Sequence, residues 1–165
     1  MNASPKYRLI TRSDFDGLVC AVLLKELDMI DDILFVHPKD MQDGKIEVTA
    51  RDITTNLPYV PGAHLAFDHH ASETLRNPGE RSNHVIDAAA PSAARVVYEH
   101  FGGAQTFPNV DPQMMRAVDQ ADSAQYSRED ILEPQGWTLL HFLIDACTGL
   151  GRFRNFRISH YTQMM

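Results

Sequence analysis

The sequence predicts an α/β domain: an open, mostly parallel five-stranded sheet with helices on both faces. Three observations point there. Short apolar runs alternate with longer helical patterns, the rhythm of parallel βαβ units. A length of 165 residues suits one domain and can bury a core without covalent staples. Acidic and histidine-bearing motifs follow the apolar runs, where an open parallel sheet gathers its ligands.

In chain order, Tyr7–Thr11 reads as the first strand. Leu18–Leu27 is apolar all round and predicts a buried helix starting just after Asp16-Gly17. Ile33–His37 is a second strand, stopped by Pro38. Lys45–Arg51 alternates Ile46, Val48 and Ala50 with Glu47, Thr49 and Arg51, a third strand with one solvated face. Ala63–Phe67 follows Pro61-Gly62 as the fourth, and Val85-Ile86 begins a fifth. Pro91 sits where a first helical turn tolerates it, and Ala93–Phe101 then runs to Gly102-Gly103 as a stop. Pro112–Ala121 and Trp137–Cys147 read as further helices. Residues 1–148 form the expected core, and 149–165 a basic, aromatic segment leading toward a linker.

The charge balance, 15 Lys+Arg against 22 Asp+Glu, disfavours a broad nucleic-acid surface, whose affinity comes from Lys and Arg displacing counterions. Arg152, Arg154 and Arg157 are the local exception, with no acid among residues 151–165. Cys20 and Cys147 provide neither a disulfide framework nor a CxxC zinc site. Residues 1–6 lack an apolar signal core, and no run reaches the ~18 apolar residues of a membrane span. The expectation is a cytoplasmic protein without a membrane partner. Gly-rich nucleotide loops are absent from the sequence.

The chemistry is concentrated at strand ends. Arg12-Ser13-Asp14-Phe15-Asp16-Gly17 follows the first strand, Asp52 the third, and Asp68-His69-His70 the fourth. Carboxylates brought together repel unless cations hold them. An oxygen-rich site with one or two imidazoles suits Mn²⁺ or Mg²⁺ better than zinc. Two such ions about 3.5–4 Å apart polarise a phosphoryl group and activate a bridging water. The reaction class is metal-assisted phosphoester hydrolysis.

Ser13-Asp14-Phe15-Asp16-Gly17, Asp52, Asp68-His69-His70 and Asp122-Ser123-Ala124-Gln125-Tyr126, in that order, resemble the motifs of the DHH phosphoesterases, and within them the exopolyphosphatase-related group. The resemblance implies a Rossmann-like domain holding two Mn²⁺ ions, or Mg²⁺ in their place. It implies a metal-bound hydroxide attacking polyphosphate, a short oligonucleotide or a dinucleotide. Carried over, Asp14 would bind one metal, Asp16, His69 and Asp122 the other, and Asp52 would bridge them. His70 would face the substrate phosphate, and Asp68 would orient an imidazole. Asp122 fits the motif's context better than Asp119. Arg12 stands where many members have a metal-binding histidine; it cannot ligate a cation and could instead grip a phosphate bidentately. Members continue into a smaller second domain, which nothing in this sequence matches.

Two other readings stay open. One is a non-catalytic module binding metal and a phosphate ligand. The other is a dehalogenase-type phosphatase with Asp14 as covalent nucleophile. The expected partner is a phosphate-containing small molecule or short polymer, with a homodimer as one arrangement. His84 is read as structural, and His37, His64, His100, His141 and His160 as surface or core groups. Ser92 is read as a helix cap and Cys20 as an inert core residue.

Overall fold

A computed structural model of the chain describes residues 6–76, 79 and 81–145. The first half runs β1 (Tyr7–Arg12), α1 (Phe15–Glu26), β2 (Ile30–Val36), α2 (Pro38–Gln42), β3 (Asp52–Thr55), β4 (Leu65–Asp68), α3 (Ala71–Arg76) and β5 (His84–Ile86). The rest is helical: α4 (Ala93–His100), a 3₁₀ turn (Gly103–Gln105), α5 (Pro112–Asp122), α6 (Arg128–Leu132) and α7 (Gly136–Ile144). The five strands form one parallel sheet in the order β2-β1-β3-β4-β5, as expected. The chain leaves β1 for β2 on one side and β3 for β4 on the other. That places the switch point, where open α/β sheets bind ligands, at the carboxyl ends of β1 and β3.

Successive residues of β1 point to opposite faces and belong to different cores. Leu9 joins the main core with Phe15, Leu24, Val97, Val118 and Ile144, drawn from α1, α4, α5 and α7. Ile10 joins a smaller one with Val36, Met41 and Leu57, which Ile46, Val48 and Val60 partly cover. Helix α1 is buried as its all-round apolarity predicts, and burying each of Leu23 and Leu24 stabilises by about 1.5–3 kcal/mol. Gly17 lets α1 start directly against the strand end. A Cβ there would stand 2.0 Å from the Arg12 carbonyl oxygen and 2.7 Å from Thr11 Oγ1.

The third strand is not where the alternation placed it. Lys45–Arg51 forms no strand, and the strand begins at Asp52. Asp52 pairs with Arg8, the second residue of β1, so the residues before it run past the start of that strand. The segment's two larger apolar residues, Ile46 and Val48, instead lie over the smaller core. The chain then turns, with the Asp52 carboxylate accepting from Thr49 N–H (2.6 Å) and Thr49 Oγ1 (2.9 Å). Asp52 therefore opens a strand rather than following one, and pairs with Arg8 near the start of β1. Short helices α2, α3 and α6 were not apparent in the apolar pattern, being too brief to show a period. Cys147, His160, Arg152, Arg154, Arg157 and the expected Gly149–Met165 segment lie outside the described residues. Among the described residues, no helix is long and apolar enough to cross a membrane.

Asp52, 1% exposed, takes a bidentate grip from Arg8, at 2.7 Å to Nε and 3.0 Å to Nη2. Burial works to raise its carboxyl pKa, but the bonds from Arg8 and Thr49 outweigh burial and hold it below the ordinary value. The stability it contributes is present above the usual carboxylate range and is lost as pH falls through the lowered value. Asp52→Ala is expected to cost about 1–3 kcal/mol in urea melts at neutral pH, with the difference from wild type narrowing toward acid. Divalent-ion binding should stay intact. Unchanged stability combined with lost ion binding would return Asp52 to the site.

Candidate functional site

The residues that converge lie at the carboxyl edge of the sheet. Asp14 caps the start of α1, accepting the Gly17 N–H at 2.9 Å, and Asp16 sits in its first turn. His69 and His70 follow β4, and Asp122 is the last residue of α5. Asp16 is 2% exposed, and its two oxygens accept the N–H groups of Ala93 (2.9 Å) and Ala94 (2.8 Å) at the start of α4. A carboxylate beside the positive end of a helix is favoured, so the first βα turn is fastened to a helix 77 residues away.

Asp16, His69 and Asp122 each offer one ligand atom, all within 4.8 Å of one another. His69 Nδ1 donates to the Ala90 carbonyl at 3.2 Å, which orients the ring with Nε2 toward the two acids. Nε2 lies 2.9 Å from Asp122 Oδ2 and 3.9 Å from Asp16 Oδ2. It is buried without an aligned hydrogen bond. Two acids and an oriented imidazole nitrogen suit a divalent cation. Burial and the neighbouring Asp122 and Asp14 raise the Asp16 carboxyl to about 8. Burial pulls His69 down, but Asp122 and Asp16 outweigh it and hold the imidazole at about 9.

Asp14 stands apart from this trio. Its Oδ1 accepts from Gly17 N–H and, at 3.2 Å, from Asn56 Nδ2, while Oδ2 meets Arg12 Nε at 2.8 Å. Asp52, the expected bridging ligand, is not brought here; it lies at the opposite edge with Arg8, so its expected catalytic and metal-bridging position is corrected. At the carboxyl end of β3, facing Asp14, stands Asn56 instead. Asn56 is 1% exposed and holds φ at 54°, a left-handed conformation that asparagine tolerates and β-branched residues do not. The sequence signal was available: an Asn directly after an apolar and threonine run marks a strand end.

Asp68 bonds the imidazole and the backbone that follow it. Its Oδ1 accepts from His70 Nδ1 at 2.7 Å and from the His69 N–H at 2.8 Å. The bond to Asp68 raises the His70 pKa above that of a free imidazole. Beside it lies a cavity of about 130 Å³ lined by Arg12, Asn56, Asp68, His70, Glu73 and Arg76, among others. Arg12 thus faces both Asp14 and this cavity.

The remaining residues are structural. Asp119 accepts from Ser92 Oγ at 2.8 Å and from Arg95 Nη2 at 2.5 Å, locking α5 onto α4 one turn before Asp122. Ser92 caps α4 through the Arg95 N–H at 3.0 Å. His37 caps α2, His64 stacks on Tyr7, and His84 stacks on Tyr59. Cys20 is a buried free thiol whose pKa burial drives up, inert as expected.

No protein-family model and no curated protein matches the chain. Among solved structures, it is similar to the pGpG-specific phosphodiesterase PggH from Vibrio cholerae, with 63% identity and a TM-score of 0.87. The match covers 97% of this chain and 50% of that one, so the chain spans about half the length of the protein it matches.

The cluster generates a pH prediction. With His69 held at about 9 and Asp16 at about 8, an incoming cation displaces at least one proton at neutral pH. Mn²⁺ affinity should rise up to about tenfold per pH unit between pH 7 and 9 for each proton displaced. Calorimetry in two buffers of different ionisation enthalpy should show proton release. Both groups have folded values above their unfolded ones, so without an ion the fold loses stability as pH climbs toward 9. Binding that is flat in pH and releases no proton would remove this assignment.

Proposed function

We propose that the chain carries the metal centre of a DHH-type phosphodiesterase that hydrolyses a linear guanine dinucleotide. The observation that carries this reading is 63% identity over 97% of the chain to a pGpG-specific phosphodiesterase. The dinucleotide class is favoured over polyphosphate for the same reason. The Asp-His-His motif and the Asp16, His69 and Asp122 cluster supply the chemistry such an activity needs.

Asp16, His69 and Asp122 would hold the ion, Mn²⁺ or Mg²⁺ by donor type. A divalent ion there polarises a phosphoryl oxygen and makes a water nucleophilic near neutral pH. The protein's part is orientation and charge. Ala90 aims the His69 imidazole, and the start of α4 holds Asp16 against rotation. The bond to Asp68 favours the protonated form of His70, whose ring can donate to a phosphoryl or leaving oxygen from the cavity edge. Arg12, on the same cavity, offers a guanidinium to developing negative charge. The covalent-nucleophile reading of Asp14 has less support, because both of its oxygens are engaged by Gly17, Asn56 and Arg12.

The test is hydrolysis of pGpG by the full chain in Mn²⁺, followed by chromatography of the mononucleotide product. His69→Ala and Asp122→Asn should lose both activity and Mn²⁺ binding. His70→Ala should lower kcat by about 10²–10⁴-fold with ion binding retained. pGpG binding with no product at saturating Mn²⁺ would favour a non-catalytic module. A trapped phospho-aspartate at Asp14 would favour the dehalogenase-type route.

A further inference from the structure

We infer that this centre takes one divalent ion, and that the Arg12 guanidinium supplies the second positive charge a paired-ion site would obtain from a metal. This rests on the hydrolase reading and deepens it. Among the described residues, Asp16, His69 and Asp122 are the one group of three His, Cys, Asp or Glu side chains close enough to hold an ion. The next carboxylate, Asp14, is already neutralised: Arg12 Nε stands 2.8 Å from Oδ2. A guanidinium cannot be deprotonated in a protein, so its charge is permanent and opposes any cation brought to Asp14.

Asn56 completes the exclusion. Its amide donates to both Asp14 oxygens, at 3.2 and 3.3 Å, and this sets its orientation, since a carboxylate only accepts. The side chain brings no negative charge to the place where a shared ligand would have to stand. Its Oδ1 is buried without a partner, and Asn56 lines the cavity with Arg12 and His70. Asp52, the carboxylate expected to bridge two ions, is spent on Arg8 and Thr49 at the other edge. Asp68 Oδ1 is engaged by His70, and its Oδ2 is buried without a partner.

The charge count is therefore closed with one ion. Asp16 and Asp122 face the cation, Asp14 faces Arg12, and Asp68 faces His70. Arg12 also borders the substrate-side cavity, so its guanidinium can bond a non-bridging phosphoryl oxygen while still paired with Asp14.

Native mass spectrometry of the Mn²⁺-loaded full chain, with electron paramagnetic resonance and pGpG turnover on the same sample, tests this. The expected result is one Mn²⁺ per chain with the spectrum of an isolated ion. Arg12→Ala should keep that one ion and lose about 10²-fold or more in kcat, with partial rescue by added guanidinium. Arg12→His with Asn56→Asp should admit a second ion and give a spin-coupled spectrum. Two coupled ions in the active wild type would overturn the inference and leave the hydrolase reading standing. Wild-type turnover in Arg12→Ala, or a folded double variant still limited to one ion, would overturn the role of Arg12 and Asn56. No bound ion and no hydrolysis would overturn both readings.

Discussion

The bond from the Asp16 carboxylate to the first N–H groups of α4 is the contact on which the rest of the site depends. It joins the opening βα turn to a helix far along the chain. A buried carboxylate is costly unless hydrogen-bonded, and a helix start is rich in unpaired donors, so each satisfies the other. The partnership sets α4 against α1, and α4 in turn sets α5 through Asp119, Ser92 and Arg95. Asp122, one turn beyond Asp119, is thereby delivered to His69. The position of one acid thus follows from the burial of another.

That construction leaves an electrostatic debt. Burial raises the pKa values of Asp14 and Asp16, and the nearby Asp122 carboxylate adds to both shifts. The protein answers in two ways within the same pocket. Asp14 receives a guanidinium and an amide, both built into the chain. Asp16 receives two backbone N–H groups, and both it and Asp122 face the His69 imidazole, whose Nε2 stands 2.9 Å from Asp122 Oδ2, an arrangement suited to a cation from solution. The difference between a charge supplied by the fold and one supplied by an ion separates the two halves of the site.

A cavity bordered by Arg12 and His70 adjoins this centre. Under the proposed reading, these cationic groups would stand between the carboxylates of an acidic protein and a phosphate ligand. The similar phosphodiesterase shares this fold over 97% of the present chain and 50% of its own.

Most of the architecture was legible because it rests on local pattern. The helix read over Leu18–Leu27 and the strand over Tyr7–Thr11 follow from apolar runs, and the structure extends them to Phe15–Glu26 and Tyr7–Arg12. The motifs around Asp14, Asp16 and His69 were legible because residue type restricts the chemistry and parallel strands bring their carboxyl ends to one edge; Asp122, at a helix end, came only from the resemblance to DHH motifs. The third strand was not legible. Alternation in Lys45–Arg51 was real, but a strand also needs a neighbour alongside it, and only the assembled sheet shows that β1 begins about where Asp52 pairs. That shift of a few residues sent Asp52 to the amino edge and put Asn56 at the carboxyl edge. The sequence by itself determined the fold class and the kind of chemistry, since both depend on composition and period. Tertiary structure decided which carboxylates gather around an imidazole and which is matched by Arg12, because charge pairing depends on distances that no spacing along the chain encodes.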